Sequence, residues 1–472
     1  MAASRPASAL PGPSPIPLVG NRLDMMRLFW DPLRLLPRLH REYGDVAALS
    51  RGDPSLVCAF GPAHNQQLLP RARQFEHFGE VPIRVPEGSA LAHMQVSLVT
   101  ANGEAHRRLR RLMMPSFTRT VIQGYRDDMV AVAERHLGRW QAGATIDVVR
   151  AMTELALDTS VKCLFGLDAG DGGLELGRMG EQFLQRVIDP ATALLPIDLP
   201  WLPYGRLLRL CERFERRLLD MAHERRRSPQ TGHDVLSRLI EAHDEDGSRL
   251  SDVELLGNMG LLFVAGHETT AYALAWILML LALHPPVFVE LRDELRAELS
   301  GDAPTVEQLA RLPLLDGVVK EGLRLLPPTY ITFIRRATEP FELGPYRMPE
   351  GSMVVLSPLV THHMPEVYRQ PDRFEPRRWA QGKRSPFEYL PFGVGPRLCL
   401  GATFAEQEIR IVLALIVQRF GLRIADGFSV DVKARGMTLG PSGAMPITMT
   451  SPEASVGTPP ELTGSVREFV TC

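Results

Sequence analysis

Of the five cysteines in this 472-residue chain, Cys399 stands where a thiolate could form. The segment Phe392-Gly-Val-Gly-Pro-Arg-Leu-Cys-Leu-Gly401 puts it in a glycine-rich loop directly before a stretch of strong helical periodicity, Leu400 to Phe420. A helix N-terminus presents unpaired backbone amides, which stabilise negative sulfur. Gly393, Gly395 and Gly401 let the backbone turn tightly and leave room for a flat group to approach. The plain alternative is a small buried cysteine beside a turn.

A second constellation is the polar notch Ala265-Gly-His-Glu-Thr-Thr270, set in an otherwise apolar helical stretch. Gly266 removes a side chain beside an acid and an alcohol, Glu268 and Thr269, a pair able to organise water and deliver protons. Thr269 could equally bond back to a helix carbonyl and bend the helix. Upstream, His106-Arg-Arg-Leu-Arg-Arg111 is strongly basic, and His106 and Arg110 lie one turn apart on one helical face. Left to themselves, these arginines would form a solvated face. Glu321 and Arg324 have the spacing of an ordinary surface ion pair.

Phe-x-x-Gly-x-Arg-x-Cys-x-Gly is matched from Phe392 to Gly401 without a departure, and through it the chain resembles the cytochromes P450. The resemblance implies haem b (iron protoporphyrin IX) with Cys399 as the proximal iron ligand, Arg397 on a propionate, Phe392 packed near the sulfur, and Gly401 beside the cofactor. A thiolate ligand donates electron density that favours cleavage of the bond in dioxygen. It implies that Ala265, Gly266, Glu268 and Thr269 form an oxygen-activation motif, with Gly266 making room for dioxygen. His106, at a place where many relatives carry Trp, would join Arg110 and Arg335 on the propionates, because two buried carboxylates require cations. Glu321, Arg324 and Arg373 would be a structural network. Arg107, Arg108 and Arg111, on other faces of their helix, would point outward as a docking patch for an acidic ferredoxin.

The elements needed to position these groups are legible from periodicity. Helices are expected from Pro32 to Tyr43, Asp128 to Trp140, Leu207 to Arg227, Val253 to Leu283 and Leu400 to Phe420, and short strands at 46–49, 56–60, 341–343 and 353–356. The fold expected is mainly α with small β-sheets, in a single large domain of the P450 type over residues 21–450. Prolines at 6, 11, 13, 15 and 17 make residues 1–20 an extended surface segment, and residues 451–472 read as a disordered tail.

Composition narrows the function. A net charge of −2 gives no attraction for nucleic acid, and odd, scattered cysteines suit a reducing, cytoplasmic setting. Ala271 to Leu283 is too short for a membrane span, which needs roughly 20 apolar residues. The resemblance implies a monooxygenase that puts one atom of dioxygen into an apolar small molecule: a terpenoid, polyketide or fatty-acyl compound of secondary metabolism. Electrons would come from a separate ferredoxin and ferredoxin reductase, as no flavin or iron-sulfur segment follows Phe420. Alternatives are a peroxygenase or oxidative coupling enzyme on the same fold, or a haem sensor, which would not need Glu268 and Thr269. By position in that fold, the pocket would draw on Phe78 to Val99, Leu194 to Tyr204, Leu262, Phe263, Thr329 to Thr332 and Met437 to Met445.

Overall fold

The computed structural model describes residues 5–15, 27–28, 30–77, 83–168, 173–187, 189–227, 233–425, 427–454 and 460–471. Ten helices of eleven or more residues run through them: α1 (Pro32–Tyr43), α2 (Gly103–Met113), α3 (Arg126–Leu137), α4 (Val148–Phe165), α5 (Leu174–Val187), α6 (Pro203–Arg227), α7 (Asp252–Leu283), α8 (Pro285–Leu299), α9 (Pro313–Leu325) and α10 (Ala402–Arg419). The fold is mainly α with small sheets, as expected. In α1 the leucine spacing translates directly into burial of Leu33, Leu35, Leu36 and Leu39, and Gly44 at φ 88° ends the helix.

The axis of the molecule is α7. Ser251 and Glu254 close a capping box at its start, and every residue from Thr270 to Leu283 is buried. Among the described residues it is the one helix long and apolar enough to cross a membrane, but its apolar half is enclosed by protein. It packs along α4 and meets α9 and α10.

The N-terminal segment is more than a surface lead-in. β1 (Arg5–Pro6) pairs in parallel with β8 (Tyr346–Met348), which is antiparallel to β7 (Phe341–Leu343). Leu10 is buried, and the carbonyls of Leu10, Pro11 and Pro13 accept from Gly52, Ala48 and Arg51. Proline lacks a donor but keeps its acceptor, so such a segment can still seal a sheet edge.

A five-stranded sheet has the order β2 (Val46–Ala48), β3 (Leu56–Ala59), β9 (Met353–Leu356), β6 (Arg335–Ala337), β4 (Phe75–His77). The β4–β6 pairing sets His77 opposite Arg335. A second sheet joins β10 (Gly421–Ile424), β13 (Pro446–Thr450) and β5 (Thr145–Asp147). The hairpin of β11 (Val432–Arg435) and β12 (Thr438–Pro441) lies on α7, where Trp276 Nε1 donates to the Leu439 carbonyl at 3.3 Å.

The expected disordered tail is contradicted beyond residue 460. Leu462, Val466, Phe469 and Val470 are buried, Ser465–Glu468 is a 3-10 turn, and the Thr471 amide donates to the Asp372 carbonyl. Burying these four side chains removes enough apolar area from water to dock a short segment. Residues 455–459 and Cys472 lie outside the described residues.

Candidate active site

Cys399 sits between a 3-10 turn, Gly395–Arg397, and the first turn of α10. Its amide donates to the Phe392 carbonyl at 2.9 Å, closing the loop on itself. Gly393 and Gly395 have φ of 71° and 78°, which L side chains rarely adopt, and a Cβ on Gly395 would press the Leu69 carbonyl at 3.0 Å. Gly401 has an ordinary φ of −86°, and a Cβ there would meet nothing within 4 Å. It is free space beside the sulfur that glycine preserves at 401.

Cys399 is accessible yet ringed by protein, and that surrounding raises its thiol pKa, while the Gly401 amide and the Arg110 guanidinium pull it down. The net direction is upward. The loop alone therefore does not hold a thiolate; a bound cation would, since a coordinating thiol is deprotonated outright.

The cations expected around the cofactor do converge. His106 is buried on α2, and burial with Arg397 and Arg110 nearby takes its pKa to about 4. Arg110 donates from Nη1 to the Leu398 carbonyl at 2.9 Å, beside the cysteine. Arg397 donates to the carbonyls of Leu98 and Ala101 and to Asn102 Oδ1, and burial followed by Arg335 and Arg110 lowers it to about 10. Arg335 is 3% exposed, its Nε has no partner, and burial lowers it to about 10.

One member of this set escaped the sequence reading. His77 on β4 is buried with Nδ1 unpaired, stacks on Phe333 at 5.3 Å, and is driven to about 2 by burial, then by Arg397, Arg335 and His106. Asn102 ties the group together, accepting from the His77 amide at 2.8 Å and from Arg397 at 2.7 Å. The charged groups depressing these pKa values are cations throughout. Buried Arg335, half-buried Arg110 and Arg397, and the buried neutral imidazoles of His77 and His106, with orphaned atoms on Arg335 Nε and His77 Nδ1, fit a dianionic group such as the two haem propionates.

On α7 the acid and the alcohol are engaged separately. Thr269 Oγ1 donates to the Ala265 carbonyl at 2.8 Å, and Thr270 Oγ1 to Gly266 at 2.9 Å, the backbone-bonded arrangement weighed above. Glu268 accepts from the Tyr272 hydroxyl at 2.9 Å and from Thr438 Oγ1 at 3.4 Å, with Arg435 reaching Tyr272 at 3.3 Å. Ala265 is exposed and Thr269 half-buried. A Cβ at Gly266 would touch Ser160 Oγ of α4 at 3.5 Å, so the side chain missing there leaves its clearance toward α4. The expected clearance for dioxygen is not what this contact displays.

Three further expectations need correction. Glu321 and Arg324 are fully buried, and the arginine joining them through its side chain is Arg378, not Arg373. Arg324 forks onto Glu321 at 2.8 and 3.0 Å, Arg378 Nε adds 2.8 Å and Trp379 Nε1 2.9 Å, while Arg373 supplies only its carbonyl to Arg324. Arg107, Arg108 and Arg111 are not free: they pair with Glu104 at 2.5 Å, Glu254 at 2.6 Å and Asp244 at 2.5 Å. Glu104 on the same helix, Glu254 at the α7 start and Asp244 in the 244–249 turn occupy them.

Finally, much of the expected pocket lining lies elsewhere. Phe263 is buried between Phe165 and Phe214, Met445 is fully buried, and Leu194, Leu195, Ile197, Leu199 and Trp201 face solvent. Leu262, Thr329, Thr332 and Met437 keep partial exposure, and 78–82 fall outside the described residues.

Comparison with known proteins agrees with this geometry. The family model described as Cytochrome P450 matches residues 10–445. The chain is 31% identical to cyclooctat-9-en-7-ol 5-monooxygenase of Streptomyces melanosporofaciens, over 90% of this chain and 91% of that one. It is 32% identical to pentalenene oxygenase of Streptomyces avermitilis, over 87% and 91%. Among solved structures it is similar to a cytochrome P450DA heme domain, with TM-score 0.81, 25% identity and coverage of 95% and 98%. Retinoic acid bound cyanobacterial CYP120A1 shares the fold at TM-score 0.81 and 24% identity, over 94% and 99%.

Proposed function

This chain belongs to the cytochrome P450 family and is a haem-dependent monooxygenase, and from that premise we propose that Cys399 would ligate the haem iron of an enzyme oxidising an apolar, terpenoid-like small molecule. The observation that carries this is the convergence of Arg110, Arg335 and Arg397 with the buried imidazoles of His77 and His106 beside the cysteine loop. His77, His106, Arg110, Arg335 and Arg397 would hold the propionates, and Phe392 and Gly401 would help to hold the cofactor beside Cys399. Bound haem supplies activation of dioxygen, with one atom delivered to substrate and the other leaving as water.

The protein's own residues do the rest. Arg110 and the Gly401 amide favour anionic sulfur. Glu268, which accepts from Tyr272 and Thr438 with Arg435 bonded to Tyr272 behind it, is the entry point for protons, and Thr269 holds the last donor position beside the exposed Ala265. The apolar core around α7 keeps bulk water out.

The substrate class follows from the named relatives, whose substrates are by their own names olefinic, and from the apolar character of Leu262 and Met437. A panel of terpenoid, polyketide and fatty-acyl compounds scored by ligand-induced spectral shift ranks the classes. Electrons come from a separate ferredoxin and its reductase. Leu398, 41% exposed beside Cys399, and a groove of about 970 Å³ lined by Arg71, Arg73 and Arg397, with Glu76 its one carboxylate, support approach of an acidic donor on this side. Buried free thiols at Cys58, Cys163 and Cys211 suit the cytoplasm.

The test is spectroscopic. Reduced protein with carbon monoxide should show the strongly red-shifted Soret band of a thiolate-ligated haem, and Cys399→Ser should lose it while retaining the helical circular-dichroism signal. An unshifted band in folded wild type would end the assignment.

A further inference from the structure

Glu268 and Tyr272 stand one turn apart on α7, so their side chains share a face of the helix. The Tyr272 hydroxyl donates to Glu268 Oε1 at 2.9 Å and accepts from Arg435 Nη1 at 3.3 Å. Arginine has donors only, so the phenolic proton is left to point at the carboxylate. Tyr272 is 4% exposed, and burial, then the Glu268 charge, push its pKa up, which keeps that proton in place. Thr438 is a poorer partner. Its Oγ1 lies 3.4 Å from Glu268 Oε2 but 2.9 Å from the Arg435 carbonyl, and a hydroxyl has one proton to give. One carboxylate oxygen is thus fastened and the other is lightly held.

The tyrosine is itself seated. A Cβ on Gly440 of β12 would stand 2.4, 2.7 and 2.8 Å from Cε2, Cζ and Cδ2 of Tyr272, so the ring rests where any other residue would push it away. Gly440 is not among the glycines with positive φ, so the constraint there is space and not conformation. One turn further along α7, Trp276 Nε1 donates to the Leu439 carbonyl, and the Leu439 amide donates to the Pro328 carbonyl at 2.8 Å. Helix and hairpin are therefore fastened together beside Glu268. A phenylalanine at 272 would fill the same space, so what tyrosine adds is the hydroxyl and its two partners.

We infer that Tyr272, seated on Gly440, is a positioning residue that fixes the Glu268 carboxylate by Oε1 and so reserves Oε2 for taking up and passing on protons. The inference rests on the reading of Glu268 as the entry point for protons. Without the hydroxyl, the half-buried carboxylate turns about its last bond, and neither oxygen keeps its place relative to Thr269. Proton supply then falls behind electron supply, and reduced oxygen leaves as peroxide.

The full-length haem-loaded protein is assayed with a ferredoxin and its reductase and with the panel compound that gives the largest ligand-induced spectral shift. Tyr272→Phe keeps the ring on Gly440 and removes the hydroxyl alone. The ratio of product to peroxide should fall roughly tenfold, the worth of one hydrogen bond to a charged group, while the haem spectrum and the affinity read from the spectral shift stay at wild-type values. Glu268→Gln should lower the ratio at least as far, and the double variant should be no worse than Glu268→Gln alone. Gly440→Ala, which displaces the ring but leaves the hydroxyl, should lower the ratio and lose that effect in the Tyr272→Phe background. A second readout needs no turnover. In protein with isotopically labelled tyrosine, the infrared C–O band absent from Tyr272→Phe should shift in Glu268→Gln, because an amide is a weaker acceptor than a carboxylate. A wild-type ratio in Tyr272→Phe with Glu268→Gln uncoupled overturns the inference and leaves Glu268 its role. Wild-type ratios in both variants overturn both. Losses that add in the double variant, or an infrared band that Glu268→Gln does not move, overturn the inference and reduce Tyr272 to a packing residue.

Discussion

Cys399 and its cations form a unit that neither part explains alone. The protein around the accessible sulfur opposes ionisation, and Arg110, Arg335 and Arg397 crowd one another and the imidazoles of His77 and His106, so the polypeptide by itself holds two unfavourable groupings that a dianionic, iron-bearing cofactor resolves together. His77 is the sharpest probe, since its Nδ1 has no protein partner. His77→Ala should leave the Soret position unchanged and speed haem loss by roughly tenfold, the worth of one charge-assisted hydrogen bond. Transfer of haem to an excess of apomyoglobin measures it, and an unaltered rate would remove His77 from the propionate set. On α7, Thr269→Ala should retain haem and substrate binding while product per electron falls and peroxide rises. Coupling at the wild-type level would leave Thr269 only its bond to the Ala265 carbonyl. The cysteine loop was readable because all its information lies within ten consecutive residues. His77 was not, because a lone histidine in a short strand acquires meaning only when β4 pairs with β6 and sets it opposite Arg335.

At the scale of elements, the Glu321 network fastens α9 to the 376–381 turn that leads toward the cysteine loop. Glu321 is fully buried and its two oxygens accept from Arg324, Arg378, Trp379 and the Glu375 amide. Arg378→Ala should therefore cost on the order of 3–5 kcal/mol, because it strands part of a buried charge. Arg373 is exposed and contributes a backbone carbonyl that any residue would supply, so Arg373→Ala should stay within about 0.5 kcal/mol of wild type. Urea midpoints of the two variants decide the assignment, and equal losses would contradict it. Sequence could place an arginine near Glu321 but could not choose among 373, 377 and 378, since an irregular loop has no periodicity to tell direction. Helices fared better: the leucines of α1 fixed its limits because burial and period coincide. The Leu194–Leu202 run shows the converse, for an apolar composition does not say whether a loop faces in or out. The tail beyond residue 460 buries Leu462, Val466, Phe469 and Val470, an apolar content that its prolines and polar residues obscured and that no regular period announces.

Over the whole molecule, the four-way meeting of α4, α7, α9 and α10 carries one unresolved charge, and it governs how stability depends on pH. Glu408 on α10 is fully buried against α4, neither carboxyl oxygen has a partner, and burial raises its pKa to about 8, opposed only by Thr159. A carboxyl whose pKa is raised on folding binds its proton more tightly in the native state. Its contribution is therefore complete below the unfolded value of 4.5 and is lost as pH rises through about 8. His77 and His106 act in the opposite sense. Their pKa values are lowered from 6.5 to about 2 and about 4, so their contribution is complete above 6.5 and lost as pH falls. Acid and base thus weaken the fold through different sites, one at the propionate cluster and one in the helical core. Glu408→Gln separates them, because glutamine keeps the shape and removes the ionisation. The variant and wild type should have the same urea midpoint near about pH 4.5, and the variant should gain steadily at higher pH. By about pH 9 the difference should be on the order of 4 kcal/mol, the equivalent of the raised pKa. Midpoints that run parallel across this range would mean that Glu408 is ionised in the native protein at neutral pH and that water reaches the helical core.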